Sequence, residues 1–482
     1  MSSSHVGDIV ASFAFSTQDI RITAAQILQQ LKAGRIDATL PFQHPSYVTT
    51  IPNGTETGRF LSVDLGGTNC RICLVELHGD GTFSVEQQKH TVPHNLSVNS
   101  RHEPLFDWVA TQIGLFLQTQ NHTLTLLPLG FTFSFTCTQT SLADGALLHW
   151  DKGWDIPSAL GQNPCAMLQT AVDAQNLPVR VAALANDSVG ALLARAYSAG
   201  VGQATTLASV IVGTGTNAAY VEHSHGGVMA INTEWGCMDD DMRVLPRTPF
   251  DDMVDSKSTD RGCQMLEKRV SGLYLGELLR LAVVELYQGG NIFDFRVDAG
   301  AAVFRSKSVD ASLLSALASD SPMASKITLL ASSLGANSVS ETDVRIVQRL
   351  AAAIVSRAAG IVGAATAAIV LQSGLLESTN YLKRSLHRLV ELFTSCFGIR
   401  CKHISPIIDI GITGSVIEHH PTFLREMHAA LCQALGIGKA GGKRIRLTEC
   451  RDASAVGAAL TVHAAMAQER VFSSNRSSKN DV

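Results

Sequence analysis

An apolar, strand-like run at 181–185 ends in Asn186-Asp187-Ser188, and the apolar Val189-Gly190-Ala191-Leu192-Leu193 follows at once. A carboxylate between two segments that both seek burial needs partners or a shifted pKa, because a desolvated charge is costly. Asp187 is thus placed to exchange a proton with a ligand. Asn186 and Asp187 are equally the residue types that N-cap a helix, here one starting near Val189. Two other stretches, DLGGTN at 64–69 and GTGTN at 213–217, set glycines and threonines between strand-like runs. In such a turn backbone N–H groups can approach an anion closely, and Thr hydroxyls add donors. Asp64 contributes an acid able to face a hydrated Mg2+, an ion that takes carboxylate, water and phosphate oxygens. Two anion-holding turns and one acid at a strand–helix junction describe phosphoryl transfer to a hydroxyl, which asks for positioning, charge neutralisation and a proton acceptor. For either turn taken by itself, an ordinary hairpin is the plain alternative.

Rival chemistries fit less well. Residues 213–218 match G-x-G-x-x-A, and Glu234 lies about twenty residues on, as a dinucleotide fold requires; but that fold needs a helix after the glycines, and AAYVE is β-like. The P-loop pattern G-x-x-x-x-G-K-[ST] does not occur. Cys70 and Cys73 form a C-x-x-C without a second pair at zinc-ribbon spacing, and in a strand they point to opposite faces. The pairs His223/His225 and His419/His420 have no third ligand near them in sequence.

The elements that must position these residues follow from periodicity. A helix is predicted over Ser16–Leu31, then strand, turn and strand over Phe60–Glu76. A helix over Leu105–Gln118, a strand over 125–137, a helix to Ala174, a strand from Val179 and a helix through Ser198 come next. A second strand–turn–strand spans 205–222. Helices are then expected at Gly262–Tyr287, Ser312–Ala318, Ser325–Leu334, Glu341–Leu371 with a break or kink, and Ser378–Phe397. A strand at His403–Ile412, an Ala-rich helix at Ala453–Met466 and a mobile polar tail complete the chain. The recurring device is the Gly/Thr hairpin, once in each half.

At 482 residues with 45% apolar side chains the chain can build more than one core, so two domains are expected. A net charge of −4 without a basic block gives no footprint for nucleic acid or an anionic membrane, which leaves small molecules or proteins as partners. The longest apolar, Ala-rich stretch, Ala358–Leu371, is interrupted by glycines and reads as a packed helix. The N-terminus lacks the features of a secretion signal, and ten scattered cysteines suit reduced thiols, so a cytosolic location is expected.

Eight motifs in order resemble the eukaryotic hexokinase family, especially its fungal glucokinase branch, from about Phe13 to Met466. They are TETGRFLSVDLGGTNCR (55–71), LGFTFSF (129–135), WDKG (150–153), LPVRVAALANDSVG (177–190), GTGTN (213–217), INTEWG (231–236), QMLEKRVSGLYLGE (264–277) and GSV (414–416). The resemblance implies an α/β, two-lobed ribonuclease-H-like (actin-type) fold with a cleft between a small domain (61–201) and a large one (15–60 and 202–454). A helix at 455–470 would return to the small domain, leaving 471–482 as a mobile tail. It implies Asp187 as general base and Lys152 near the transferring phosphate. Ser134, Asp151, Lys152, Asn186, Asp187, Asn217, Glu234 and Glu267 would surround the sugar. Asp64, Gly66, Gly67, Thr68, Asn69 and Arg71 would form the first phosphate loop, with Asp64 reaching Mg2+ through water. Thr214 and Gly215 would form the second, and Gly414 and Ser415 would border the adenosine. The implied activity is phosphorylation of a hexose, glucose first, at its 6-hydroxyl by ATP with Mg2+.

Several positions depart from the family pattern. Thr136 follows FSF where the family has Pro; Asp151 replaces Thr and Trp154 replaces Phe; Thr413 replaces Asp; Ala453 and Ala455 replace glycines. A carboxylate at 151 would repel phosphates, raise the pKa of Asp187, or suit another sugar. Two further readings therefore stand beside the first: a kinase of another hexose such as N-acetylglucosamine, and a catalytically impaired sugar-binding regulator that reports to a protein partner.

Overall fold

Each Gly/Thr turn closes the first hairpin of a separate sheet. The computed structural model describes residues 2–120, 125–150, 153–200, 204–224, 227–290, 297, 298, 300–376 and 407–480. Its strands are β1 (His44–Pro45), β2 (Thr57–Leu65), β3 (Asn69–His78), β4 (Phe83–Thr91), β5 (Leu127–Phe133), β6 (Cys137–Gln139), β7 (Gly145–Leu147), β8 (Val179–Ala185), β9 (Thr205–Val212), β10 (Thr216–Ser224), β11 (Gly227–Asn232), β12 (Ile408–Thr413) and β13 (Ile445–Glu449). The first sheet runs β4-β3-β2-β5-β8 and the second β1-β11-β10-β9-β12-β13. In both, three strands form an antiparallel meander and two more join parallel to the first strand of that meander. Apart from the edge strand β1, the same topology thus occurs twice, a duplication visible in sequence only as the repeated turn.

Burial explains the strand compositions. β2 is buried without alternation from Phe60 to Leu65, because both of its faces are covered. Helices Glu103–Thr119 and Pro164–Ala174 pack beside the first sheet and share a core with its strands. The helix Ala453–Asn480 packs against β2, β5 and β8 and also against the helix Asp187–Ala199, which in turn lies on β9, β10 and β12. These two helices, rich in small residues, fill the space between the sheets. Cys70 and Cys73 fall in different cores, as side chains on opposite faces of β3 must.

The helix Thr17–Gly34 starts at a capping box between Ser16 and Asp19. It packs on the 32-residue helix Glu341–Gln372, which is long and apolar enough to span a membrane by composition but is buried inside the second lobe. That helix is continuous, without the expected break. Gly360 and Gly363 sit where a Cβ would meet the Phe15 ring at 2.7 Å and the Met427 carbonyl oxygen at 2.4 Å, so the glycines admit neighbours instead of breaking the helix. Conversely, the helix expected over Gly262–Tyr287 is two, Glu267–Val270 and Gly272–Gln288, separated by extended Ser271. The last helix continues to Asn480, and its polar end contains no glycine or proline to stop it. The helix predicted at Ser378–Phe397 lies outside the described residues, and the strand predicted from His403 is described from Ile408.

Candidate active site

In open parallel sheets, ligands bind beyond the carboxyl ends of the strands. Asp64 lies at the end of β2, Ser134 just past β5, Asp187 just past β8, and the 213–215 turn follows β9; Gly414 follows β12. The chain therefore delivers every one of these residues to the same edge of its sheet. Asp151 and Lys152 lie outside the described residues.

The helix Asp187–Ala199 is capped by Asn186, whose side chain accepts from the Ser188 N–H at 2.9 Å. Asp187, the first residue of the helix, shares that donor. Its Oδ1 also accepts from that N–H at 2.8 Å, and Ser134 Oγ donates toward Oδ2 at 3.4 Å. The half-buried carboxylate sits at the positive end of its own helix, an arrangement that favours negative charge.

Asp64 stands close enough to feel the Asp187 charge. Burial pushes its carboxyl above the usual carboxylate range; the Arg71 guanidinium, 3.0 Å away, opposes this, the Asp187 carboxylate adds to it, and the Ser454 hydroxyl also favours the ionised form. In the adjoining turn Gly66 N–H donates to Asn69 O at 3.0 Å. A Cβ on Gly66 would meet nothing nearer than Asn69 O at 3.8 Å, so the glycine leaves open space rather than relieving backbone strain. Asn69 donates to Thr68 Oγ1 at 3.0 Å, and Trp154 Nε1 donates to Gly67 O at 2.7 Å.

Residues expected around the sugar form one network. Asn217 Nδ2 lies 2.9 Å from Asn232 Oδ1, 3.3 Å from Glu234 Oε1 and 3.4 Å from Asn186 Oδ1, the last contact reaching from the second sheet to the cap of the helix Asp187–Ala199. Asn232 Nδ2 donates to Glu234 Oε1 at 2.7 Å. Glu234 holds a left-handed backbone at φ 46°, sparsely populated for a non-glycine residue, and such strain clusters at ligand sites. Asn232 escapes the sequence reading, although it stands inside INTEWG as the polar end of an apolar strand; only the β10–β11 pairing brings it beside Asn217.

In the second turn Glu267 Oε2 accepts from Thr216 N–H at 2.9 Å, and a Cβ on Gly215 would stand 2.7 Å from that oxygen. Gly215 thus makes room for Glu267 as well as shaping the turn around Thr214. Gly414, at φ 112°, has no space for a Cβ: the Val212 carbonyl would lie 2.5 Å away. This contact seats Gly414 and Ser415 on Gly213. Thr413, where the family pattern has Asp, donates to Glu418 Oε1 at 2.9 Å, and the same oxygen takes the Gly414 N–H at 2.8 Å. An Asp at 413 would confront that carboxylate, so the departure has a local partner. The strand β10 after GTGTN excludes the dinucleotide reading.

Two carboxylates, two glycine-bearing turns and an amide-rich network at matching edges of a duplicated sheet define the two-lobed ribonuclease-H-like class of phosphotransferases. Family models, both described as hexokinase, match residues 5–197 and 207–464. The chain is 35% identical to a glucokinase of Aspergillus niger, covering 96% of this chain and 97% of that one. It is 33% identical to glucokinase-1 of Saccharomyces cerevisiae over 86% of each. The structure of a Schistosoma mansoni hexokinase complexed with glucose superposes with a TM-score of 0.80 at 29% identity, covering 96% of this chain and 99% of that one. The chain belongs to the hexokinase family.

Proposed function

We propose that this protein transfers the γ-phosphoryl group of ATP to the 6-hydroxyl of a hexose, with glucose as the preferred sugar. The observation that carries the reading is the placement of Asp187: its Oδ2 faces Ser134, between the Asp64 turn on one side and the Asn186–Asn217–Glu234 network on the other. A hexose is a ring of donors and acceptors, and amide and carboxylate side chains can pair each hydroxyl where an unpaired one would cost about 1 to 3 kcal/mol. With the sugar held there, Asp187 takes the proton of the attacking hydroxyl while Ser134 steadies the carboxylate. The 64–69 and 213–215 turns offer backbone N–H groups to the phosphates.

Among the described residues no cluster of three or more metal-ligating side chains exists. An ion held mainly by phosphate and water, with one carboxylate beyond its waters, fits that donor set, and Asp64 is the residue that would face it. When bound, Mg2+ supplies charge neutralisation at the phosphates.

The test is ADP release with glucose, mannose, fructose and N-acetylglucosamine, for the wild type and Asp187→Asn. Glucose-dependent release, reduced about a hundred- to ten-thousand-fold by the substitution, is the expected result. An Asp187→Asn enzyme with wild-type turnover would remove the assigned base. Glucose-induced stabilisation without ADP release would favour a sugar-binding regulator.

A further inference from the structure

We infer that Trp154 is a positioning residue that fixes the first phosphate turn and ties it to the sugar-side segment. This rests on the kinase reading above. The indole N–H donates to the Gly67 carbonyl at 2.7 Å, and the side chain is only 6% exposed. A trans peptide points its C=O and the following N–H to opposite sides. Holding Gly67 O against the indole therefore directs the Thr68 N–H away from it and sets which way the turn presents a donor.

A glycine pair would otherwise let that peptide rotate, because glycine opposes little sterically to such a flip. The flanking peptides have partners of their own: Gly66 N–H is bonded to Asn69 O, and Thr68 O accepts from Val92 N–H at 3.0 Å. The Gly67–Thr68 peptide is the unit that the indole specifies.

The indole is itself held from the sugar side. Its ring stacks on Trp150 with centroids 5.3 Å apart and tilts against Phe135 at 4.9 Å. Phe135 directly follows Ser134, which faces Asp187. Ser134–Phe135, Trp154 and Gly67 thus form one physical line from the sugar-side strand end to the nucleotide-side turn. The phenylalanine of the family pattern would keep the stacking and lose the donor, so in this chain the link is a gain.

The experiment compares wild type with Trp154→Phe, measuring thermal midpoint, glucose affinity, turnover, and calorimetric binding of Mg2+ with a β,γ-imido analogue of ATP. The expected result is analogue affinity and KM for ATP weakened about three- to tenfold, the scale of one hydrogen bond, with glucose affinity unchanged and the thermal midpoint lowered by no more than the loss of that one bond. Wild-type turnover with unchanged analogue affinity in the variant would overturn the inference and leave the kinase reading standing. Loss of stability with both ligands weakened alike would also overturn it, as a packing role. If the wild type binds the analogue but turns over no hexose, a weakened variant supports the inference while the kinase reading fails. A wild type that binds no analogue overturns both.

Discussion

A Cβ on Gly457 would lie 2.1 Å from the Cα of Gly190, so the helix that begins with Asp187 is in backbone contact with the last helix of the chain. The same last helix blocks the other side, where a Cβ on Gly130 would fall 2.5 Å from the Ala458 carbonyl oxygen. A methyl at 457 cannot rotate away, and its neighbours are main chain. Gly457→Ala is expected to cost about 3 kcal/mol or more, at the upper end of overpacking penalties, and to lower kcat by shifting Asp187. Urea midpoints measure the first and steady-state kinetics the second. A midpoint equal to wild type would mean that the two helices separate freely.

Arg71 is expected to influence the acid limb of the pH profile through Asp64. Burial raises this carboxyl and Arg71 partly restrains it, so Arg71→Met sends it further up. The ionised form is the one suited to the phosphate side, and the acid limb of kcat/KM for ATP should therefore move to higher pH. The stability linkage has the same sign. A carboxyl raised in the folded state contributes most below its unfolded pKa and loses that contribution as pH rises through the folded value. The variant's stability deficit should accordingly grow as pH rises above the raised value that the carboxyl has in the folded wild type. An unmoved acid limb would separate Arg71 from Asp64, even if KM for ATP rises from the lost positive charge.

The turns and the Asp187 junction were legible because their signals are local. Gly, Thr and Asn between apolar runs mark a hairpin, and the expected span Phe60–Glu76 became Thr57–His78 around its turn. What was illegible depends on distant partners. Asn232 joins the site through the register that sets it opposite Ala219, two residues from Asn217. The break at Ser271 exists because Gly272 N–H donates to Gly213 O at 2.7 Å and Leu273 N–H to Thr214 O at 3.2 Å, so the second turn takes the start of that helix. Gly360 and Gly363 read as breakers, but a glycine's packing use cannot be told from its hinge use without the neighbour it admits.

Ala453 and Ala455 depart from the family's glycines without a backbone penalty. Both are buried within the last helix, and the left-handed φ in this segment, 47°, belongs to Asp452. Restoring glycine at both positions should leave KM for ATP within about twofold and cost about 0.5 to 1 kcal/mol per site, the helix penalty of glycine. Calorimetric nucleotide binding and urea midpoints check the pair. A fivefold gain in nucleotide affinity would show that the two methyls encroach on the ligand.

Asp409 joins the helix Asp187–Ala199 to β12. It is fully buried in β12, pairs with Arg195 of the helix Asp187–Ala199, and accepts from Arg446 Nε at 2.7 Å and Thr448 Oγ1 at 2.9 Å. The strand it anchors ends at Thr413, next to the Gly414 that rests on the second phosphate turn. Removing one member of a buried pair strands the other charge, so Asp409→Ala should cost about 3 to 5 kcal/mol. Arg446 is half exposed, with 46% of its side chain accessible, and Arg446→Met should cost only about 0 to 1 kcal/mol. An apolar replacement of both partners, Arg195→Met with Asp409→Leu, should recover part of the loss, and the double-mutant cycle gives the coupling. If Asp409→Ala and Arg446→Met proved equally mild, the pair with Arg195 would not hold the two lobes in register, and the helix of Asp187 would owe its position to the Gly190–Gly457 contact and to its packing on β9, β10 and β12.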